Sequence, residues 1–441
     1  MESAWRGRSR NFNPLFQIWA LYPDLKITIL FQIDEEIIKI NMKFNLNSYL
    51  LGLSFAIDCV ENELLGATSN HGKRVAYVSL RIARAMGLSD EELFDIAALA
   101  ILHDNGLSEE SLTHDRKSEE RLYQVEDLPA HCHIGERNIA NFPFQKTSAN
   151  IIKYHHENWD GSGFFGQSGD SIPLMAQIIG MADYTDLKCR FQTPDPANWK
   201  STAAFISDRK GSSFSAELVE VFRQVSKSPA FWYDLRDPFI NAALNRYMPE
   251  IFMEMEWDKI LDISRVFSRI IDSKSRFTLR HSSGLEEKAD HMAGYFNMES
   301  EERLQLRVAA SLHDVGKLAV PNTILDKPGK LTEEERRIVN VHTYYTRLCL
   351  EQIPGFETIT EWAANHHEKL GGGGYPMGLG ESELDFNARM MTVLDIYQAL
   401  TEERPYRKSL SHNRTMEIIN KIKDDGEVDA EIVGEVDKAF S

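Results

Sequence analysis

The chain has 441 residues, with 49 Lys plus Arg against 67 Asp plus Glu, a formal charge of −18, 42% hydrophobic and 26% charged residues. That composition excludes disorder as the main state and leaves room for about two or three domains at roughly 150 residues each. The acidic balance argues against a general nucleic-acid surface, and no uninterrupted apolar run of about 18 residues offers a membrane span.

A cytoplasmic protein with no DNA partner and no membrane partner is therefore expected. Cys59, Cys132, Cys189 and Cys349 are widely separated and form no CxxC pair. That spacing speaks against a disulfide framework and against a cysteine-based zinc site, and it fits a reducing compartment.

In chain order, residues 1–41 come first and differ from the rest. Arg6, Arg8 and Arg10 precede a short apolar run, Pro14 to Leu21, which hints at a targeting signal. Phe12, Asn13 and the charged segment Asp34 to Lys39 interrupt it, and no small-residue cleavage site follows. The segment reads as an upstream extension, with Met42 as an alternative start just ahead of the amphipathic stretch Leu46 to Val60, the expected first helix. Further on, Leu93, Ile96, Ala97, Ala100 and Ile101 recur on one helical face and run into His103 and Asp104. Leu304, Val308 and Leu312 do the same before His313 and Asp314. Each His-Asp pair should sit at a helix end, with Gly106 or Gly316 letting the chain turn away. Residues 227–257 carry Pro229, Pro238 and Pro249 among Phe231, Trp232 and Tyr233, too apolar for a loose linker. Alternating strand patterns are scarce. The expectation is an all-α fold of two tandem helical bundles, 42–226 and 258–441, joined by packed helices over 227–257.

The two halves repeat. His71, His103, Asp104, His131, His155, His156 and Asp183 are followed by His281, His313, Asp314, His342, His366, His367 and Asp395, at offsets that drift only from 210 to 212. The surrounding sequences agree as well: ILHDNGL against SLHDVGKL, and YHHENWDGSGF against NHHEKLGGGGYP. The tails match too, SAELVEVF against DAEIVGEV. Scattered core histidines do not keep such a register. His131 has a competitor in His133, and His114, His291 and His412 fall outside the pattern and read as surface or core residues.

Imidazoles and carboxylates without a thiolate suit Fe(II), Mn(II), Co(II) or Zn(II). Seven groups are too many for one ion. A binuclear site is the economical arrangement: Asp314 bridges, His281, His313 and Asp395 complete one metal, and His342, His366 and His367 serve the other. Two metals about 3.5–4 Å apart can activate water at neutral pH and clamp a phosphate for in-line attack. The same reading makes the first-half set a secondary candidate centre.

The second half resembles the HD-GYP domain, the branch of the HD metal-dependent phosphohydrolases that opens cyclic dinucleotides. The likeness runs over about residues 260–440, on His281, HDVGK at 313–317, VPNTILDKPGKL at 320–331, His342, HHEKLGGGGYP at 366–376, ARMMTVLD at 388–395 and RPYR at 404–407. It implies an HD-type helical bundle, the seven ligands named above and two divalent ions, with Fe(II) or Mn(II) favoured. It also gives Lys317 the role of proton donor or phosphate-binding cation. A cation there suits the chemistry, because phosphodiester cleavage expels an alkoxide. Lys327 and Arg389 occupy substrate-side positions of the family. Gly374 and Tyr375, followed by Pro376, read either as a plain turn or as a loop whose ring stacks on a base. One departure is that Gly371 and Gly372 replace the usual Asp-Gly.

The first half diverges: Leu107 stands in place of the lysine, Phe164 and Phe165 in place of Tyr-Pro, and Gln177 opposite Arg389. Two uses are open for it, a regulatory scaffold docked on the catalytic half or an accessory phosphatase acting on the linear product. The tandem arrangement most resembles the phosphodiesterases specific for 3′,3′-cyclic GMP-AMP, and implies hydrolysis of that substrate to a linear 5′-phosphorylated dinucleotide. Cyclic di-GMP is the alternative substrate, and a non-catalytic dinucleotide sensor the alternative class.

Overall fold

A computed structural model of the chain describes residues 41–113, 129–146, 148–189, 196–275, 280–403 and 408–441. The extension 1–40, His114 and the RPYR segment lie outside the described residues. The described residues fall within one compact unit.

Helices dominate, so the all-α expectation holds. The first repeat contains α1 (Leu46–Leu65), α2 (His71–Ala85), α3 (Asp90–Ile101), α4 (Leu107–Thr113), α5 (Ala130–Asn138), α6 (Leu174–Cys189), α7 (Pro196–Ser207) and α8 (Ala216–Val225). Two connecting helices follow, α9 (Pro229–Asp234) and α10 (Ile240–Tyr247). The second repeat contains α11 (Trp257–Asp272), α12 (His281–Tyr295), α13 (Ser300–Leu312), α14 (Asn322–Leu325), α15 (Glu333–Asn340), α16 (His342–Leu350), α17 (Glu357–Ala364), α18 (Phe386–Thr401), α19 (His412–Asp424) and α20 (Ala430–Phe440).

Local signals explain several helix starts. Ser89 caps α3 in a reciprocal pair with Glu92, and Asp90, Glu91 and Glu92 oppose the positive end of the helix dipole. Thr332 and Glu335 do the same for α15. At α2 the Gly72 N–H donates to buried Asp58, and at α12 the Ser282 N–H donates to buried Asp272, each at 3.0 Å. These carboxylates fix the helix ends that carry His71 and His281.

The connecting segment is packed as expected. Phe231, Leu235, Ile240, Ala243 and Leu244 are fully buried, and Trp232 stacks on Trp199 with ring centroids 5.8 Å apart. Burying each such large apolar side chain contributes about 1.5–3 kcal/mol. One feature was not expected. Strand β1 (Asn41–Asn45) pairs antiparallel with β2 (Phe252–Glu256), Met42 opposite Met255. The first element among the described residues is thus a strand containing Met42, and the segment 227–257 carries a strand just before Trp257 opens α11. Phe44 and Tyr49 pack with Phe267 and Phe356, and the Tyr49 hydroxyl donates to Ser264 Oγ at 3.0 Å, which ties α1 to α11 in the interior.

Candidate metal centre

In the second repeat the helix ends converge. His281 opens α12, His313 and Asp314 follow α13, His342 opens α16, His366 and His367 follow α17, and Asp395 lies within α18. The two oxygens of Asp314 face different histidines. Oδ2 is 3.8 Å from His281 Nε2 and 3.2 Å from His313 Nε2, whereas Oδ1 is 3.4 Å from His342 Nε2 and 3.8 Å from His366 Nε2. Asp395 Oδ1 is 2.9 Å from His281 Nε2 and 3.9 Å from His313 Nε2, and its Oδ2 is 3.9 Å from His367 Nδ1. Ligand atoms of His281, His313 and Asp395 form one close group, and those of His342, His366 and His367 another. The carboxylate of Asp314 lies between them.

The imidazoles are aimed by bonds at their far nitrogens. Nδ1 of His313, His342 and His366 donates to the carbonyl three residues earlier, that of Ala310, Val339 and Ala363 respectively. His281 Nδ1 instead donates to Glu402 Oε2 at 3.0 Å. Such bonds leave Nε2 free to ligate. His313 Nε2 and Asp314 Oδ1 are buried and make no hydrogen bond within the protein. An unpartnered buried polar atom costs about 1–3 kcal/mol, and a divalent cation would satisfy both, so the donor set fits metal ions.

Electrostatics separates the two sides. Burial disfavours charge on His281, yet the Asp395 and Glu402 carboxylates raise it to about 9. Burial and nearby Lys317 push His342 down to about 3, and burial with His367 holds His366 well below its usual range. Burial opposes ionisation of Asp314 and Asp395, but His313 and Lys317 beside the first, and His281 beside the second, hold both well below the carboxylate range.

The remaining named residues divide. Lys317, in a short 3-10 turn after Asp314, is ion-paired with Asp314 Oδ2. The Tyr375 ring packs on His367 with centroids 5.0 Å apart, and its N–H donates to the His367 carbonyl. Gly374 lies so close to the backbone of Glu368 that an added Cβ would be 2.4 Å from its Cα. Lys327 is held by both Glu335 oxygens at 2.7 and 2.6 Å, and Arg389 by Asp429 at 2.6 Å, so their cationic groups are engaged away from the histidine cluster. His291 Nε2 donates to the Ala439 carbonyl at 3.1 Å, and His412 bonds Tyr397 and Asp437, outside the cluster.

The first repeat keeps the same plan. Asp104 Oδ2 is 3.5 Å from His103 Nε2, and Oδ1 is 3.7 Å from both His131 Nε2 and His155 Nε2. Asp183 Oδ1 is 3.1 Å from His71 Nε2 and 3.6 Å from His103 Nε2. His156 Nε2 is 3.1 Å from His131 Nε2, and the exposed His133 packs on Phe165 instead, so His131 is the member of the cluster. Leu107 is buried. A cavity of about 330 Å³ beside the cluster, lined by His155, His156, Phe164, Gln177, Asp183 and Tyr184 among others, has no Lys or Arg in its wall among the described residues.

Three features were not anticipated. Glu402 and Asp186 are the carboxylates behind the first histidine of each repeat, Asp186 at 2.6 Å from His71 Nδ1 and itself held by Arg74. Glu368 accepts from the N–H groups of Met377, Gly378 and Leu379, and Glu157 from Phe165 and Gln167, which makes the Glu of each HHE run the organiser of its loop. Cys132, outside the expected set of imidazoles and carboxylates, also lies within reach of His131, His155 and His156. The role given to Gly106 and Gly316 needs correction as well. Neither has a positive φ, and an added Cβ would lie 2.3 Å from the His131 carbonyl oxygen or 1.9 Å from that of His342. These glycines permit close approach of the next ligand-bearing helix.

Comparison with known proteins agrees with this duplicated arrangement. The HD domain family matches residues 57–212 and again 265–432. A 3′3′-cGAMP-specific phosphodiesterase 1 of Vibrio cholerae is 31% identical over 407 residues, 89% of this chain and 92% of that protein. A cyclic di-GMP phosphodiesterase of Pseudomonas aeruginosa is 42% identical over 102 residues, 23% of this chain and 25% of that protein. The crystal structure of a cyclic GMP-AMP specific phosphodiesterase of V. cholerae superposes with a TM-score of 0.63 at 26% identity, covering 90% of this chain and 98% of that one. With both histidine clusters inside matched segments that span most of its length, the chain belongs to the HD domain family.

Proposed function

We propose that the second repeat is a two-metal phosphodiesterase that opens 3′,3′-cyclic GMP-AMP to a linear dinucleotide with a 5′-phosphate. The observation that carries this reading is the division of Asp314, whose two oxygens face separate histidine groups. His281, His313 and Asp395 would hold one divalent ion, and His342, His366 and His367 the other, with Asp314 shared between them. Fe(II) or Mn(II) suits these nitrogen and oxygen donors. Such a pair supplies Lewis acidity toward a phosphoryl oxygen and a water nucleophile at neutral pH.

The chain's own residues do the rest. Lys317 Nζ, at the Asp314 Oδ2 edge and 19% exposed, is positioned to protonate the departing 3′ oxygen or to neutralise phosphoryl charge. Tyr375, braced against His367, presents a ring on which a base can stack. Lys327 and Arg389 would reach substrate phosphate only after leaving Glu335 and Asp429.

We assign the repeats to domains 42–226 and 258–441, with the first docked on the second. The Tyr49–Ser264 hydrogen bond and the Lys274–Glu63 ion pair support that docking. Leu107 in place of Lys317 leaves the first domain to a scaffold role or to phosphate release from the linear product. Among the described residues no helix is long and apolar enough to cross a membrane, and we take the setting to be cytoplasmic.

A panel of cyclic and linear dinucleotides on the wild type and on the His313→Ala, Asp314→Ala double variant tests the assignment. The wild type should open 3′,3′-cyclic GMP-AMP in preference to cyclic di-GMP, and the variant should open neither. Full activity in the variant would remove the second repeat from the chemistry. Preference for cyclic di-GMP, the substrate named for the P. aeruginosa relative, would overturn the choice of substrate alone. Binding without turnover would favour a sensor. The same panel on His103→Ala, Asp104→Ala separates scaffold from phosphatase, because only the phosphatase role predicts lost phosphate release.

A further inference from the structure

The first repeat departs from the second at one ligand-range position. Cys132, fully buried on the first turn of α5, has Sγ 3.4 Å from His131 Nε2, and His156 Nε2 lies 3.1 Å from the same atom. The donor atoms of His131, Cys132, His155 and His156 all lie within 4.8 Å of one another. His155 Nε2 is buried without a hydrogen-bond partner, while its Nδ1 is committed to the Ile152 carbonyl at 2.6 Å. His131 Nδ1 is likewise committed, to Glu110 Oε2 at 3.1 Å. Three imidazole nitrogens and one sulfur therefore point at a common space. Around a tetrahedral zinc, with bonds of about 2.0–2.1 Å to nitrogen and about 2.3 Å to sulfur, neighbouring donors stand about 3.3–3.6 Å apart. The two separations of 3.1 and 3.4 Å are close to that. At the matching position of the second repeat stands Thr343, whose hydroxyl donates to the Asn340 carbonyl at 3.1 Å.

We propose that His131, Cys132, His155 and His156 hold a divalent cation in a closed shell of three nitrogens and one thiolate sulfur. A soft sulfur donor selects Zn(II) over the Fe(II) or Mn(II) suited to the second repeat. Four protein ligands, with Asp104 Oδ1 3.7 Å from both His131 Nε2 and His155 Nε2 as a further donor, leave no open position, which is the pattern of a structural site instead of a catalytic one. The first repeat then keeps the inherited scaffold for a different metal and a different purpose. This rests on the metal-binding reading of that repeat and is independent of the diesterase assignment.

Cobalt substitution of the full chain provides the test. After chelator stripping and loading with Co(II), the wild type should show a sulfur-to-cobalt charge-transfer band in the near ultraviolet and tetrahedral d–d bands. Cys132→Ser should lose the charge-transfer band and, in a separate zinc reconstitution, retain about one zinc fewer per chain after dialysis. The wild-type spectrum needs no variant to fold: cobalt bound without a sulfur band refutes the thiolate shell while leaving metal binding by the repeat intact. If His131→Ala and His155→Ala also leave the metal count unchanged, the repeat's metal reading fails together with the thiolate.

Discussion

Glu402 stands behind His281, outside the close group of His281, His313 and Asp395, yet its removal should weaken the metal site proposed there. Its Oε2 accepts the Nδ1 proton of His281 at 3.0 Å, and that bond turns Nε2 toward Asp395 at 2.9 Å and Asp314 at 3.8 Å. Removing a carboxylate behind a ligating histidine typically costs 10- to 100-fold in metal affinity, about 1.4–2.7 kcal/mol. A second effect runs the other way. Glu402 helps raise His281 to about 9, so at pH 7 only about one imidazole in a hundred is neutral and able to ligate. Without Glu402 that proton competes less. Glu402→Ala should therefore bind its weaker ion about 10- to 100-fold less tightly than wild type at pH 9, with a smaller deficit at pH 7. The other ion, at His342, His366 and His367, should be unaffected. Titration of the apo chain with Mn(II) against a fluorescent chelator at both pH values measures this. Wild-type affinity at both sites at pH 9 would refute the orienting role.

Metal binding to the wild type at pH 7 should release the His281 proton, whereas His342, at about 3, is already neutral and releases none. Affinity at the His281 side should accordingly rise with pH up to about 9 and then level; calorimetry in buffers of different ionisation enthalpy reads the proton count. Lys317→Met should lower kcat on the dinucleotide by about 10²–10⁴-fold with the metal content unchanged. A nitrophenyl phosphodiester, whose leaving group needs no proton, should lose far less; equal losses on both would deny Lys317 the proton-donor role. Gly316→Ala sets a Cβ against the His342 carbonyl oxygen and should destabilise the fold by about 1–3 kcal/mol and displace His342. Thermal unfolding together with metal titration checks it, and an unchanged melting temperature would contradict the packing.

The two histidine and aspartate clusters were legible because residue type and place recur together, in a register from His71 and His281 to Asp183 and Asp395 that chance does not supply. Helix ends at His103 and His313 were legible from the apolar spacing ahead of them. The β1–β2 ribbon was not: five-residue strands carry almost no periodic signal, and Met42 finds its partner Met255 across nearly half of the chain. Glu402 escaped because its counterpart in the first repeat is Asp186, which lies within α6 whereas Glu402 follows the end of α18, so alignment of the copies does not superpose them. Cys132 escaped for the opposite reason. Comparison searches for what is shared, and Thr343 stands at its position. The close approach at Gly316 depends on where α16 passes, which only the packed structure gives.

The central claim is that Asp314 carries one ion on each carboxylate oxygen. Anomalous diffraction at the manganese edge from crystals of the Mn(II)-loaded full chain tests it most directly. Two peaks about 3.5–4 Å apart flanking Asp314, one beside His281, His313 and Asp395 and the other beside His342, His366 and His367, are the predicted result. One peak alone, or a pair lying away from Asp314, would contradict the account.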